Sequence, residues 1–302
     1  MDSRNVSLKQ LRYFIATAET GQLSKAARST HVSQSAITAA IKSLEELMQV
    51  RLFERQQQGV SLTPEGHRFY IRAKEVIDSL EDALREPRFN VHNVKGSVNV
   101  SASYTVLGYF LPVLLARFRA NYPDVEIDLC DMSRPAIEQA INDGSTELGI
   151  VILSNIENLQ AYSHHTLIRA RRQLWLAANH PLLEKEQVSL KDISQYPYIQ
   201  ITEDEGEEST QRYWAANGET PNIGFRTSSM EGLRGLIAHS FGVTILSDMV
   251  YRPWSLEGKK IETRPIENQV PDMQVGIIWK KDTVLSKPAQ AMRELLIQIC
   301  SS

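Results

Sequence analysis

Gln34, Ser35, Thr38 and Lys42 are polar residues separated by one, three and four positions, so on an α-helix they share one outward face. Their chemistry suits duplex DNA. A glutamine amide pairs with adenine edges, serine and threonine hydroxyls with either type of base, and a lysine ammonium with phosphate or guanine. Ser33, just ahead of them, has the right side chain for a helix N-cap. Behind this face Ile37, Ala40, Ile41, Leu44 and Met48 form an apolar stripe that turns inward. A merely solvated helix shows the same polar face, so the neighbouring elements decide between the two readings.

Those elements favour a nucleic-acid reader. Leu8, Leu11, Phe14, Ile15 and Ala18 fall at helical spacing, and Gly21 sits where a left-handed cap ends such a helix. A short second helix is expected from Ser24 as N-cap through Arg28, with a turn over Ser29–Val32. Short helix, turn and polar-faced helix make a helix-turn-helix. Residues 51–55 and 60–62 then read as two strands of a wing that carries Arg55 towards phosphate or the minor groove. Thr63-Pro64-Glu65 opens a further helix with a capping hydroxyl, a proline at its first position and a carboxylate at its positive end. Along that helix Phe69, Ala73, Val76, Leu80 and Ala83 step by alternating fours and threes, the spacing of a coiled-coil seam. They are read as a dimer contact, which presents two recognition helices to two half-sites.

At this point the sequence resembles the LysR-type transcriptional regulator family. The residues that carry the resemblance are Leu8-Lys9-Gln10-Leu11-Arg12-Tyr13-Phe14, Ala26-Ala27, Val32-Ser33-Gln34-Ser35-Ala36-Ile37, Leu44-Glu45, Leu52-Phe53-Glu54-Arg55 and Leu62-Thr63-Pro64-Glu65-Gly66. Two departures stand out: Ala39-Ala40 where the family commonly has Arg-Gln, and Gln56-Gln57-Gln58 where further basic residues are frequent in the wing. Fewer phosphate contacts imply weaker nonspecific binding and a shallower salt dependence. The resemblance implies a DNA-binding regulator that assembles as a dimer or tetramer and answers to a small-molecule effector.

Charge is distributed to match. Residues 1–74 hold 11 Lys/Arg against 6 Asp/Glu, while the remainder holds 22 against 30, so only the front of the chain is set up to meet a polyanion. The 302 residues, 42% hydrophobic and 23% charged, suit two or three soluble domains. The opening residues lack the apolar core of a secretory signal and no apolar run is long enough for a membrane span, so a cytoplasmic protein with no membrane partner is expected. Cys130 and Cys300 have no metal or CxxC spacing and read as reduced thiols, Cys130 as a buried one.

From residue 96 onward strands and helices alternate, a pattern that calls for a mostly parallel sheet. The fold class expected is therefore α/β: an N-terminal winged helix-turn-helix plus long linker helix, then a two-lobed periplasmic-binding-protein-like α/β effector domain. The boundaries are 1–63, 64–86 (linker helix), 87–95 (connector) and 96–302, with lobe I over 96–163 and 268–302 and lobe II over 164–267. The chain is expected to cross between lobes near Tyr162–Leu167 and Ile266–Asp272. The resemblance extends here through Leu111-Pro112-Val113-Leu114-Leu115, Tyr122-Pro123, Asp143-Gly144, His180-Pro181-Leu182 and Phe241-Gly242-Val243.

Ligands of open α/β sheets bind beyond the carboxyl ends of the strands. Ser103, Tyr104 and Thr105, then Ser133 and Arg134, Thr202 and Glu203, and Ser228, Ser229 and Met230 all follow expected strands. Hydroxyls and N–H groups at helix starts suit a carboxylate, though each hydroxyl taken alone can equally cap its own helix. Glu203-Asp204-Glu205-Gly206-Glu207-Glu208 reads as a solvated acidic loop or, more sharply, as a partner for an effector that carries an amine while Arg134 holds its carboxylate. An enzyme is the competing class. The sequence has no GxSxG, Walker loop, GxGxxG, HExxH or paired CxxC, so no catalytic residue, metal or cofactor is assigned. A solute-binding protein or small-molecule enzyme built on the two lobes would have no use for residues 1–85.

Overall fold

The chain forms two compact units, Met1–Asn90 and Val91–Ser302, in a computed structural model that describes residues 6–56, 59–85 and 94–301. Most of the expected connector 87–95 and the wing residues Gln57 and Gln58 lie outside the described residues, as does the side chain of Ala83.

The first unit runs α1 (Leu8–Thr20), α2 (Leu23–Ser29), α3 (Gln34–Met48), β1 (Phe53–Gln56), β2 (Gly59–Leu62) and α4 (Pro64–Arg85). A capping box of Ser7 and Gln10 starts α1, and Gly21 at φ 64° ends it. Helix α2 starts earlier than its hydroxyl suggests: Gln22 is the N-cap and makes no side-chain cap bond. Leu23 packs on the cluster of Ala27, Ile37 and Ile41, and drawing that leucine into the first turn leaves Ser24 inside the helix. The wing strand starts at Phe53, two residues later than expected, and the backbone N–H groups of Leu52 and Phe53 at its start donate to the Glu45 carboxylate at 2.7 and 3.1 Å. The two wing strands pair from Phe53↔Leu62 to Gln56↔Gly59.

Helix α4 corrects the seam reading. Ala73 and Ile77 are buried with Leu11, Phe14, Leu44 and Leu52, and Phe69 packs beside them, its ring 4.9 Å from that of Phe14. A three-helix domain of this size has too little core without that face, so these residues are used internally. Among the described side chains of α4, the large apolar residues left exposed are Ile71 and Val76.

The second unit opens with β3 (Gly96–Ala102), α5 (Tyr104–Tyr109), α6 (Leu111–Asn121), β4 (Val125–Asp131), α7 (Arg134–Asp143), β5 (Leu148–Ile152) and β6 (Tyr162–Ala170). A second lobe follows with β7 (Arg172–Ala177), α8 (Leu190–Ile193), β8 (Tyr198–Ile201), α9 (Gly206–Ala216), β9 (Ile223–Thr227), α10 (Met230–Ala238), β10 (Thr244–Ser247) and β11 (Ile261–Arg264). The chain then returns with β12 (Met273–Lys280) and α11 (Lys287–Cys300). The first lobe's sheet has the order β4-β3-β5-β12-β6, parallel among β3, β4 and β5 and antiparallel where β12 joins. The second lobe holds an antiparallel β10-β7-β11 sheet beside the parallel pair β8-β9.

Several expectations change here. Residues 162–170, read as a crossing and largely given to lobe II, form β6, which pairs with β12 along its whole length. The crossing is therefore at Arg171, and Tyr162–Ala170 belongs to lobe I. The apolar residues from Leu107 to Phe118 have the spacing of one helix, but they fall on two helices broken at Phe110, with Pro112 in the first turn of the second, where its missing N–H is harmless. Strand β11 was not anticipated. Cys130 is exposed rather than buried: β4 is an edge strand, and Glu126, Asp128 and Cys130 alternate onto its solvent side. Among the described residues no helix is long and apolar enough to cross a membrane.

Candidate functional site

In the first unit Gln34, Ser35, Thr38 and Lys42 are all exposed along α3. They are not equally available. Ser33 caps the helix, its Oγ accepting from the Ala36 N–H at 3.2 Å, and it shares a hydrogen bond of 2.9 Å with the Ser35 hydroxyl. Thr38 donates back to the Gln34 carbonyl at 2.9 Å, and Lys42 lies 3.5 Å from Glu46 in a solvent-exposed pair, which holds it weakly. Gln34 and Arg55 are brought together: both line one depression with Gln22, Leu23, Ser24 and Val60. The wing is held there by its backbone. Val60 N–H donates to the Gly21 carbonyl at 2.8 Å. Gly59 has φ +136°, and a Cβ on it would stand 2.3 Å from that same carbonyl oxygen.

In the second unit a cavity of about 60 Å³ lies between the lobes, room for a few waters, so an organic ligand enters only as the lobes part. Of the ten residues expected from sequence, Thr105, Glu203 and Met230 line it. Ser103, Tyr104, Ser133, Arg134, Thr202, Ser228 and Ser229 do not. Ser229 is engaged as the N-cap of α10, accepting from Gly232 N–H at 3.0 Å. The Ser103 hydroxyl is buried without a protein partner. Asn155, Arg172, Ser209 and Ser247 also line the cavity and were missed. Asn155 and Ser247 stand at the carboxyl ends of β5 and β10, where the strand-end rule already pointed.

The acidic run is neither a free loop nor an open cation trap. Asp204 and Glu205 adopt left-handed backbone, φ 51° and 54°, an unfavourable conformation for these residues. It carries both across to the first lobe. The Asp204 carboxylate accepts the Thr105 N–H at 2.7 Å, and the Asp204 carbonyl accepts the Asn155 amide at 2.7 Å. Glu205 lies 3.2 Å from Arg134 Nε, while Arg134 also pairs with Glu138. The protein thus fills with its own carboxylates the helix start and the arginine expected to hold an effector's. Burial nevertheless raises the Glu205 carboxyl above its usual range, against the opposing pull of Arg134. At the far end of α5, Tyr109 accepts from the buried Arg234 at 3.1 Å, and the Arg234 and Arg252 guanidinium groups stand 5.2 and 5.4 Å from its ring centroid. Helix α5 is therefore held to the second lobe at both ends.

Comparison with known proteins decides what these two units are. Residues 8–67 match the bacterial regulatory helix-turn-helix of the lysR family, and residues 92–301 match the LysR substrate binding domain. The chain belongs to the LysR family of transcriptional regulators. Among its relatives the regulator is 28% identical over 292 residues to the uncharacterized HTH-type transcriptional regulator YwbI of Bacillus subtilis, across 96% of this chain and 95% of that one. It superposes on HinK, a LysR family transcriptional regulator from Pseudomonas aeruginosa, with a TM-score of 0.61 and 28% identity over 97% of each chain. The effector binding domain of QuiR in complex with shikimate shares the fold at 18% identity, TM-score 0.59, over 69% of this chain and 98% of that one. The regulator thus joins a DNA-binding helix-turn-helix to an effector-binding domain.

Proposed function

We propose that the regulator reads its operator through Gln34 and Arg55, supported by Ser35, Thr38 and Lys42, with Ser33 as a structural cap. It answers to a small organic carboxylate held between the two lobes, and Glu203 is the group available for an amine on the same molecule. The observation that carries this reading is the interlobe cavity spanned by Asp204 and Glu205. A cleft bridged by carboxylates across two lobes has an intramolecular equilibrium that a competing acid can shift. The shikimate bound to QuiR, a hydroxylated carboxylic acid, fits the same class.

Occupancy of the cleft changes how copies of the effector domain pack, and with it the spacing of paired winged domains on DNA. A dimer or a tetramer supplies those copies, and the regulator acts in the cytoplasm. The test is a gel shift with the DNA upstream of the protein's own gene, at fixed modest salt, repeated across small carboxylic acids and their amino analogues. Binding that no acid alters overturns the effector reading; no binding at modest salt overturns the operator reading. Equal response to a dicarboxylate and its amino analogue removes the role given to Glu203.

A further inference from the structure

Four arginines point to the region between the lobes, and they differ in what balances them. Arg134 is engaged by Glu138 and Glu205. Arg234 is engaged by Glu231, Tyr109 and the Val250 carbonyl. Arg172 and Arg212 have no carboxylate within ion-pair distance among the described residues. Arg172 opens β7, one residue beyond the first lobe crossing. Its guanidinium donates to Ser209 Oγ at 3.0 Å and to the Pro271 carbonyl on the second crossing, and stands 5.8 Å from the centroid of the Tyr213 ring. Those partners are neutral, and a guanidinium held only by neutral groups out of bulk water is poorly compensated. Burial accordingly pushes its pKa down, against the opposing pull of Tyr213, Tyr198 and, beyond ion-pair distance, Asp272, while the like charge of Arg212 adds to the downward push.

Arg172 is also where two cavities meet. It lines the interlobe cavity together with Thr105 and Glu203. It lines as well a groove of about 720 Å³ along the crossings, with Arg212, Ser154, Asn217 and Asp272. Arg212 is exposed on α9 and, among the described residues, donates to the Asn155 side-chain oxygen at 3.5 Å.

We infer that Arg172 and Arg212 form an oxyanion site at the lobe crossings, and that this site, not Arg134, anchors the acidic group of the effector. The inference rests on the cleft reading given above and adds to it the place where the acid is held. Two guanidinium groups on one groove suit a carboxylate or phosphate, which accepts charge-assisted hydrogen bonds from both. An acid bound there neutralises the uncompensated Arg172 and ties β7 to the second crossing, so its binding is coupled to the segments about which the lobes move. The rest of the molecule extends from Arg172 into the interlobe cavity, where Glu203 stands.

The test uses the full chain and calorimetric titration with succinate and with inorganic phosphate at constant ionic strength, succinamide serving as the uncharged control. Wild type should bind one or both oxyanions and not succinamide. Arg172→Gln and Arg212→Gln should each weaken binding by roughly 10- to 100-fold, the usual consequence of losing a charge-assisted hydrogen bond, while Arg134→Gln changes it little. Arg212 is exposed, so its variant keeps the result readable if Arg172→Gln fails to fold. Thr105→Trp, which obstructs the interlobe cavity without touching either arginine, separates the two readings. Binding of succinate lost in Thr105→Trp but kept in both arginine variants overturns the anchor and leaves the cleft reading standing. Binding lost in the arginine variants but kept in Thr105→Trp supports the oxyanion site and overturns the cleft reading. No oxyanion binding to wild type overturns the anchor.

Discussion

The recognition face and the interlobe cleft are both polar surfaces, yet they are prepared in opposite ways. On α3 and the wing the side chains that matter are exposed and their scaffold is fixed, with Glu45 holding the start of the wing and Gly59 pressed against Gly21. In the cleft the Thr105 N–H and Arg134 are already engaged by the protein's own carboxylates, through a backbone with two left-handed residues. A surface for a large polyanion gains from rigidity and open access. A sensor gains from a bound-like state that the protein holds only weakly by itself, because a ligand can shift no more than its differential affinity allows. The difference teaches that the DNA-reading unit is built to stay in one arrangement, and the cleft to leave one.

The largest expected effect tests that rigidity. Gly59→Val puts a branched side chain at φ +136° against the Gly21 carbonyl and should destabilise the winged unit by about 2–5 kcal/mol, combining overpacking and backbone strain. Thermal melting of the full chain should show an early transition, and DNA binding should be lost with it. Next, Gln34→Ala should relax discrimination at one base pair by about 1–3 kcal/mol, whereas Arg55→Ala should weaken all sequences alike and lower the salt slope by about one. Filter binding at several salt concentrations distinguishes them. If both behave alike, the two residues do not divide into base and phosphate contacts.

In the cleft Asp204→Asn keeps a residue that tolerates left-handed backbone but removes the charge from the bond to Thr105. Hydrogen exchange over residues 103–109 should speed up about fivefold, from weakening one charge-assisted hydrogen bond. Unchanged exchange would mean that this contact does not hold the lobes. The smallest effect concerns Glu205. Its carboxyl is raised by burial, so the folded state favours the protonated form. Stability from this group is fully present below the unfolded carboxyl pKa and is lost as pH rises through the higher folded value. Glu205→Gln should therefore be as stable as wild type or slightly more so at pH 7, with the difference vanishing in acid. Urea unfolding at both pH values reads this out, and a clear loss of stability at pH 7 would show that the pair with Arg134 outweighs burial.

Much of the winged unit was legible because its signals are local. The capping contacts of Ser33, Gly21 and Thr63 are with backbone within four residues of themselves, and spacing alone exposes such effects. The start of α2 failed because the burial of Leu23 competes with a cap hydroxyl, a balance set by residues of α3. Phe69 and Ala73 were misread for a related reason: heptad spacing says that a stripe is apolar but not what covers it. In the cleft the decisive contacts join Asp204 to Thr105 and Glu205 to Arg134, residues far apart in sequence. Nothing near Asp204 announces its left-handed backbone, since the bonds that reward it come from the other lobe. Arg172 had only a faint local sign, the cluster Arg169, Arg171 and Arg172 where β6 gives way to β7.

The placement of β12 has a consequence for how this chain is made. It sits between β5 and β6 in the first lobe's sheet, but the ribosome synthesises it only after the whole second lobe. Until residue 280 has emerged, β5, a strand buried along its whole length in the finished protein, has one edge without its partner, a ready template for pairing with other chains. Premature termination within the second lobe should therefore leave an insoluble fragment, not a smaller working domain.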